Sequence, residues 1–416
     1  MQTQLSPEFK NTADGNEAEA ILRKCVHCGF CNATCPTYQL LGDELDGPRG
    51  RIYLIKQVLE GGEVTRSTQQ HLDRCLTCLN CQTTCPSGVE FGHLVDIGRK
   101  IVEARVERPP AERAARWLLK EGLTSRLFAP ALRLGQALRP LLPEALRSKV
   151  PLAQAARAAP NAARVEGRKV LLLKGCVQPS MMPNIDRAAA RVLELAGVGT
   201  VHAGGTGCCG ALRTHLSDHS GGLEDMRRNI DAWIPMVAAG EVQAIVASAS
   251  ACGLALKEYG HALANDPQYA HNAARISSLA RDLSELLPDL VAVLEGKLHV
   301  ERFGRIALHP PCTLQHGQKL RGGLEANLRA LGFMVEVAGG ESQMCCGSAG
   351  TYSILQPALS LQLRDRKLDH LSKLEPQIIV SANMGCIQHL QSGTRTRVMH
   401  WVELLDEAIS PAAPAA

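Results

Sequence analysis

The sequence predicts a multidomain protein of mixed α+β and α/β class, in which an N-terminal helical domain is followed by two tandem α/β domains. Three observations predict it. A short cysteine motif occurs twice near the N-terminus, a longer cysteine pattern occurs twice in the remainder, and short β-branched apolar runs alternate with helical stretches around the longer pattern. Alternating strands and helices indicate open sheets with parallel strands.

Composition restricts the class of protein. The chain has 416 residues, enough for two or three domains, and 45% of them are hydrophobic. The net charge of +4 is too small to indicate nucleic-acid binding. No apolar run reaches the about 18 residues of a membrane-spanning helix, and the polar N-terminal stretch lacks the apolar core of a secretory signal. We therefore expect a cytoplasmic protein.

The sixteen cysteines favour metal ligation or catalysis, because a disulfide framework is unusual in a reducing compartment. Eight of them form the motif C-x2-C-x2-C-x3-C-P, which occurs twice with a displacement of 50 positions. The copies comprise Cys25, Cys28, Cys31 and Cys35, and then Cys75, Cys78, Cys81 and Cys85. This is the ligation pattern of bacterial 4Fe–4S ferredoxins.

Ligation by this pattern crosses between the two copies. Three thiolates on one tight loop reach three irons of a cubane, and in two-cluster ferredoxins the fourth thiolate comes from the other copy. The predicted ligand sets are Cys25, Cys28, Cys31 and Cys85 for cluster 1, and Cys75, Cys78, Cys81 and Cys35 for cluster 2. Zinc is the alternative, but the immediate third cysteine in both copies favours iron–sulfur.

The longer pattern is built around a Cys-Cys-Gly triplet. Its first copy contains Cys176, Cys208, Cys209 and Cys252, which recur 134 to 137 positions later as Cys312, Cys345, Cys346 and Cys386. Four thiols from three loops could ligate a further cluster, form a redox-active dithiol, or pack as small hydrophobes. The matching sets favour a cluster or redox chemistry. Gly210 and Gly347 would permit a positive φ or a close backbone approach to a metal.

Apolar runs and helical spacing around these cysteines predict the elements of each α/β repeat. Buried strands are predicted over 170–173, 242–247, 306–308 and 378–380. Helices are predicted over 184–196, 222–238, 323–331 and 353–374. Because the carboxyl ends of parallel strands form the sites in such sheets, we expect one pocket of cysteines in each repeat.

Residues 108–149 carry nine Lys or Arg against three Glu among leucine-rich helical turns. Helices that pack on the protein and expose arginine are the favoured interpretation, and a basic apolar face on an anionic membrane is the alternative. Residues 153–167 predict a linker. The predicted divisions are a polar tail (1–20), a helical two-cluster 4Fe–4S ferredoxin-like domain (21–107), a basic Leu/Ala-rich helical connector (108–167), and two cysteine-rich domains (168–300 and 301–410).

A few other residues are candidates for the site. His202, His309 and His316 could carry protons or bind a metal, although a hydrogen-bonded structural role is more common. Arg49 and Arg51 could tune a cluster potential or dock a partner. A G-x-G-x-x-G match over 205–210 lies inside the cysteine motif and is not repeated in the second copy, so we expect no flavin or NAD on this chain.

The motifs and the stretch between them resemble a known family. The stretches KCVHCGFCNATCPTYQLLGDELDGPRGRIYLIKQVLEG and HLDRCLTCLNCQTTCPSGVEF resemble the iron–sulfur subunits of glycolate oxidase (glycolate dehydrogenase). The Cys-Cys-Gly repeats resemble the cysteine-rich domains of heterodisulfide reductase, anaerobic glycerol-3-phosphate dehydrogenase and lactate-utilisation subunits. The heterodisulfide reductase pattern ends in C-x2-C, whereas Ala249 and Asn383 replace its first cysteine here, which weakens a prediction of heterodisulfide reduction.

The resemblance implies an electron-transfer subunit with two flavin-binding partner subunits. Glycolate would be oxidised to glyoxylate on those partners, and this chain would pass the electrons toward a quinone or another acceptor, which fits peripheral attachment to the cytoplasmic face of the inner membrane. One alternative is the iron–sulfur subunit of a D-lactate or glycerol-3-phosphate dehydrogenase. The others are an autonomous disulfide or quinone reductase that uses a Cys-Cys-Gly site, and a non-enzymatic iron–sulfur sensor or zinc scaffold.

Overall fold

The computed structural model describes residues 1–141 and 167–409. Only Gly167 of the predicted linker falls within these ranges, and the rest of the linker lies outside the described residues. Within them, no helix combines the length and the apolar character that crossing a lipid bilayer requires.

Residues 1–107 form a helical domain, which includes the range 21–107 predicted for the helical two-cluster domain. Its helices are α1 (Ala13–Lys24), α2 (Phe30–Ala33), α3 (Pro36–Leu41), α4 (Pro48–Leu59), α5 (Arg66–Asp73), α6 (Asn80–Thr84) and α7 (Phe91–Arg105), with a 3-10 turn over Glu44–Asp46. Helices α4 and α7 form the centre of its core, because Ile52, Ile55, Leu94 and Val95 bury one side of each helix. Pro48 and Phe91, the first residues of α4 and α7, lie beside both cysteine loops.

The first twenty residues differ from the predicted polar tail. Leu5 and Ala18 are buried in the core that α4 and α7 form. The Met1 ammonium donates hydrogen bonds to the carbonyl oxygens of Leu22, at 2.9 Å, and Cys25, at 2.5 Å. The apolar residues of this segment are few and irregularly spaced, so no periodicity indicates their burial in the sequence.

The connector begins with α8 (Pro110–Thr124) and α9 (Phe128–Leu138), which end in a 3-10 turn over Arg139–Leu141. Neither helix contains a buried residue. The expected exposure of arginine is wrong for Arg108 and Arg116, which form ion pairs with Asp73 at 2.6 and 3.0 Å. Large apolar side chains are exposed instead, and we call them the apolar connector set: Trp117, Leu118, Leu127, Leu134, Leu138 and Leu141.

The first repeat is a parallel four-stranded sheet with helices around it. Its strands are β1 (Lys169–Leu172), β2 (Gly199–Val201), β3 (Ala244–Ala247) and β4 (Ala280–Asp282), in the order β2-β1-β3-β4. Its helices are α10 (Gln178–Met181), α11 (Pro183–Leu195), α12 (Ala211–His215), α13 (His219–Ala238), α14 (Ser250–Lys257), α15 (Tyr259–Ala262), α16 (Ala270–Leu279) and α17 (Leu287–Leu294). The predicted strands and helices agree with β1, β3, α11 and α13.

The second repeat has the same strand order. Its strands are β5 (Ile306–His309), β6 (Val335–Val337), β7 (Ile378–Ser381) and β8 (Arg397–His400), in the parallel order β6-β5-β7-β8. Its helices are α18 (Gly323–Ala330), α19 (Tyr352–Leu355), α20 (Pro357–Ser372), α21 (Met384–Gln391) and α22 (Trp401–Ile409). The single helix predicted over 353–374 is two helices, because Pro357 starts a new one.

The two repeats share one hydrophobic core. It contains Val170 of β1 together with Ile306 of β5 and Trp401 of α22. Helix α11 of the first repeat packs against α22 of the second, and Arg191 forms an ion pair with Asp406 there at 2.5 Å. The predicted division at residue 300 therefore separates two copies of one fold. These copies are not independent of each other, because their side chains pack into a common hydrophobic core.

His93 of α7 joins the helical domain to the first repeat. Its ring stacks on that of His261, with ring centroids 3.8 Å apart. Its Nε2 lies 3.0 Å from the Glu258 carboxylate, and Glu17 lies 3.4 Å from its Nδ1. The hydrogen bond with Glu258 raises the pKa of His93, and the charges of Glu17 and Asp96 add to the effect. The protonated imidazole therefore strengthens this junction.

We expect the junction to weaken as the pH rises. Because the folded-state pKa of His93 is raised, its contribution is complete below the ordinary value of about 6.5 and is lost as the pH rises through the raised pKa. The contribution is at most about 1 kcal/mol, since the side chain of Glu258 is 45% exposed. Thermal unfolding measured across this pH range should lose part of its pH dependence in His93→Gln but not in His299→Gln, whose ring is 54% exposed. An unchanged pH dependence in His93→Gln would contradict this expectation.

Candidate iron–sulfur and thiol sites

The first cysteine loop closes around a cavity. The cysteines that line it are Cys25, Cys28, Cys31, Cys81 and Cys85. Between these cysteines, His27 and Gly29 have φ angles of +60° and +87°, which wind the loop tightly enough to direct several thiols into one space. Cys28 is exposed, so this cavity lies at the protein surface.

The second cysteine loop repeats this geometry around a second cavity. The thiols that line it belong to Cys35, Cys75, Cys78 and Cys81. Thr77 and Leu79, fifty positions after the residues with positive φ in the first loop, have φ angles of +50° and +60°. All four cysteines are buried, so this cavity is better shielded from solvent than the first.

The two cavities are neighbours and exchange their fourth cysteines. Pro48, Cys81 and Phe91 line both of them. Cys85 belongs to the second motif but lines the first cavity, whereas Cys35 belongs to the first motif and lines the second. Each cavity therefore offers the four thiols that a 4Fe–4S cluster requires, and the residues fit two such clusters.

Burial makes three of these thiols, those of Cys31, Cys78 and Cys81, difficult to ionise in the absence of a cation. Burial raises the pKa of Cys31 to about 11, and the charges of Cys25 and Cys85 add to the effect. Burial and neighbouring thiolates likewise raise the pKa of Cys78 and Cys81 well above the usual value. A metal ion reverses this preference, because its charge stabilises coordinating thiolates.

A buried ionic network forms the back of the second cavity. Arg51 is 1% exposed, and its Nη1 lies 3.9 Å from the Cys35 sulfur. Its Nη2 lies 3.5 Å from Asp46, which also contacts His71 at 3.0 Å and Arg74 at 2.8 Å. Burial excludes Arg51 from docking a partner. Because the Arg51 guanidinium is a cation beside the Cys35 sulfur, it favours added negative charge at this cavity. This is the role in tuning a cluster potential that the sequence allowed for Arg51.

Arg49 differs from Arg51 in its surroundings. It lines the first cavity and pairs with Glu44 at 2.5 Å, and its side chain is 34% exposed. Asp46 and His71 could not be recognised in the sequence, because single charged residues in polar stretches form no pattern. In the sequence, only Arg49 and Arg51 indicated that the residues around 46–51 could be part of the site.

The second repeat covers the second cavity. Cys345 and Tyr352 belong to the same buried cluster as Cys78, and Cys312 packs against that cluster. The sulfur atoms of Cys312 and Cys345 are 4.0 Å apart, and the Tyr352 hydroxyl donates a hydrogen bond to the Arg74 carbonyl at 3.1 Å. The thiols of this repeat therefore lie directly beside the second cavity.

The structure brings the four longer-pattern cysteines of each repeat together. Neighbouring thiols lie close enough to affect one another's ionisation along two series, Cys176–Cys208–Cys209–Cys252 and Cys312–Cys345–Cys346–Cys386. Hydrogen bonds with Cys176 and Cys209 lower the pKa of Cys208. Gly347 has a φ of +87°, and a Cβ there would lie 2.4 Å from the Ser360 carbonyl oxygen, so this turn requires glycine.

The three candidate histidines have different surroundings. His202 Nδ1 lies 3.0 Å from the Leu172 carbonyl oxygen, and His316 Nε2 lies 2.9 Å from that of Gln343. Both therefore have the structural role that is more common for histidine. His309 is 1% exposed, and neither of its ring nitrogens has a hydrogen-bond partner within residues 1–141 and 167–409.

Two family models match this chain. The 4Fe-4S dicluster domain matches residues 21–89, which contain both cysteine loops, and the Cysteine-rich domain matches residues 170–257 and 306–391, one match in each repeat. With the two thiol-lined cavities, these matches define an iron–sulfur protein of the electron-transfer class.

Two relatives that match this chain over nearly its full length identify the family within this class of iron–sulfur proteins. The chain is 52% identical to the glycolate oxidase iron–sulfur subunit of Escherichia coli (strain K12), over 98% of this chain and 99% of the relative. It is 31% identical to the probable glycolate oxidase iron–sulfur subunit of Bacillus subtilis (strain 168), over 97% of each. The chain belongs to the family of glycolate oxidase iron–sulfur subunits, which confirms the resemblance.

More distant matches support parts of this result. Lactate utilization protein A of Geobacillus thermodenitrificans (strain NG80-2) is 26% identical over 57% of this chain and 98% of its own length. A crystal structure of a hypothetical protein from Helicobacter pylori aligns with a TM-score of 0.55 over 98% of this chain and 74% of that chain. At 12% identity, it supports the fold alone.

Proposed function

We propose that this chain is the electron-conducting subunit of a complex that oxidises glycolate to glyoxylate. Two flavin-binding subunits would carry the oxidation, and this chain would take the electrons toward a quinone or another acceptor. The two adjacent cavities, which are lined by the eight motif cysteines and share Cys81, are the observation that carries the proposal. The 52% identity to a glycolate oxidase iron–sulfur subunit favours glycolate over D-lactate or glycerol 3-phosphate as the source of electrons.

The proposed cofactors are two 4Fe–4S clusters, with no flavin or NAD on this chain. The ligands would be Cys25, Cys28, Cys31 and Cys85 in the first cavity, and Cys75, Cys78, Cys81 and Cys35 in the second. When bound, such clusters supply one-electron carriers. The residues around them exclude water from the second cavity and place the Arg51 guanidinium against the Cys35 sulfur.

The surface around the first cavity suits a protein partner. Cys28 is exposed there, and Val26, Phe30 and Tyr53 nearby are 69%, 63% and 45% exposed. Exposed aromatic and aliphatic residues around a redox site are typical of a docking surface. We therefore assign the first cavity to the side that receives electrons from the flavin subunits, and the second to the side that leads into the second repeat.

The test uses the chain expressed with its flavin-binding partners and purified without oxygen. We expect about eight irons and as many acid-labile sulfides per chain from the two clusters, and paramagnetic signals that appear on adding glycolate but not D-lactate or glycerol 3-phosphate. Zinc in place of iron would contradict the proposal. Reduction of the clusters by D-lactate but not by glycolate would also contradict it. A cytoplasmic complex, attached peripherally to the inner membrane where quinone is the acceptor, belongs to the same proposal.

The apolar connector set should bind a partner subunit. Trp117 and Leu118 are 61% and 64% exposed on adjacent positions of α8, although large apolar side chains are costly to expose. The double variant Trp117→Glu, Leu118→Glu should lose co-purification with the flavin subunits while it retains its iron. Leu361→Glu, on a leucine of α20 that is 43% exposed, is the matched control. A double variant that still assembles fully would exclude this surface as the contact.

A further inference from the structure

His309 occupies an unusual position at the end of β5. The side chain is 1% exposed, and both ring nitrogens are buried without a hydrogen-bond partner among the residues that the structure describes. Buried imidazoles normally form hydrogen bonds, because an unpaired buried polar atom loses its interaction with water and gains nothing in return. A buried imidazole of this kind is therefore a candidate to bind a ligand that is not part of the polypeptide.

Two thiols lie beside the ring. A nitrogen of His309 and the sulfur atoms of Cys346 and Cys386 all lie within 4.8 Å of one another, and all three residues are buried. They come from separate elements, namely β5, the Cys-Cys-Gly loop and α21. Imidazole and thiolate are the preferred ligands of iron–sulfur centres and zinc. Three such groups from three elements, converging in a dry interior, have the arrangement of a metal site.

A buried cation accompanies these thiols. Lys367 is 2% exposed, and its ammonium donates a hydrogen bond to the Glu341 carbonyl oxygen at 2.5 Å, in the loop that leads to the Cys-Cys-Gly triplet. Lysine is rarely buried unless negative charge is close to it. The thiols of Cys346 and Cys345 and the carboxylate of Glu341 are acidic groups that interact with this ammonium, so thiolates formed on metal binding would lie beside a buried positive charge.

The first repeat lacks this combination. The strand pairing of β5 with β7 matches that of β1 with β3, so that His309 corresponds to Leu173. Leu173 is buried but offers no donor atom. The first repeat has the four thiols without the imidazole, and the carbonyl oxygens of its Cys-Cys pair accept hydrogen bonds from Asn229 and Tyr259 instead. The histidine therefore distinguishes the two repeats.

We propose that His309 is a ligand of a third metal centre, an iron–sulfur centre that the second repeat holds together with Cys346 and Cys386. Cys312 and Cys345 continue the same series of thiols toward the second cavity, which makes them the further candidate ligands. An imidazole in place of a thiolate removes negative charge from an iron–sulfur centre and raises its potential. The inference rests on the proposed function, because such a centre would extend the two clusters toward the acceptor.

The experiment uses the anaerobic complex in which histidine is labelled with ¹⁵N. Two 4Fe–4S clusters contain about eight irons, and we expect the iron content per chain to exceed this number. We also expect a strong nitrogen hyperfine coupling in the pulsed EPR spectrum of the additional centre. His309→Ala should lose the additional iron and the coupling. His309→Cys should retain the iron, lose the coupling and shift the centre to a lower potential. His202→Gln, which removes a histidine of the first repeat, should change none of these.

Three results would overturn the inference: iron limited to the two ferredoxin-type clusters, nitrogen coupling that survives in His309→Cys, or zinc rather than iron at the site. The labelled unsubstituted complex gives its answer even if His309→Ala does not fold. The proposed function is tested separately, because the signals of the two N-terminal clusters should persist and respond to glycolate in all three variants. Their absence from the unsubstituted complex would instead refute the proposed function.

Discussion

Serine at Cys35 is expected to eliminate the cluster of the second cysteine loop, although Cys35 belongs to the first motif. The side chain lines the second cavity, where it is buried between Thr37 and Arg51. Cys35→Ser should therefore lower the iron content by about four per chain. Glycolate-dependent electron flow to the acceptor should fall to background, because one of the two adjacent carriers is missing.

Double variants separate crossed from uncrossed ligation. With crossed ligation, Cys35→Ser combined with Cys78→Ser damages a single cluster, so the pair should lose about four irons per chain. Cys35→Ser combined with Cys28→Ser damages both clusters and should lose about eight. Uncrossed ligation reverses the two outcomes. Iron and sulfide are measured per folded chain, with circular dichroism as the control for folding, because metal assembly and folding are coupled here.

Among substitutions of single charged residues in the helical domain, Asp46→Ala should cause the largest loss of stability. The carboxylate is 0% exposed and contacts Arg51, His71 and Arg74. Its removal leaves the guanidinium of Arg51, which is 1% exposed, without its carboxylate partner in the interior. Breaking one partner of a buried ion pair costs about 3–5 kcal/mol. The measurement is urea unfolding of the anaerobic protein, followed by the visible absorbance of the clusters.

A surface pair provides the comparison for this variant. Asp14 pairs with Lys100 at 2.6 Å, but both side chains are more than one-third exposed. Asp14→Ala should cost no more than about 1 kcal/mol. Equal destabilisation by the two alanine substitutions would mean that the network behind the second cavity contributes no more than an exposed ion pair.

The sequence was informative wherever a pattern repeats. The two cysteine motifs and the longer repeat predicted the domain order, and the apolar runs before Cys176 and Cys312 predicted β1 and β5. Helical spacing predicted α11 and α13 to within a few residues. These predictions succeeded because strand and helix periodicity, and ligand spacing, are local properties of the chain.

Features that depend on packing across the structure could not be predicted. The three-residue strands β2 and β6 are too short for a periodic signal and exist because β1 and β5 pair with them. The burial of Leu5 and the inward direction of Arg116 depend on distant partners. The sequence singles out His309 only by its position at the end of a predicted strand just before Cys312. That its ring lacks a hydrogen-bond partner among the described residues, whereas the ring of His316 has one, depends on folding.

The cover that Cys345 and Tyr352 form over the second cavity has a consequence for biogenesis. A chain leaves the ribosome from its N-terminus, so the thiols of both ferredoxin-type motifs emerge long before the segment that will seal Cys78. Iron–sulfur assembly factors would have open access to that loop only during this interval. Once the C-terminal half has folded, repair of an oxidised cluster would require that half to detach first.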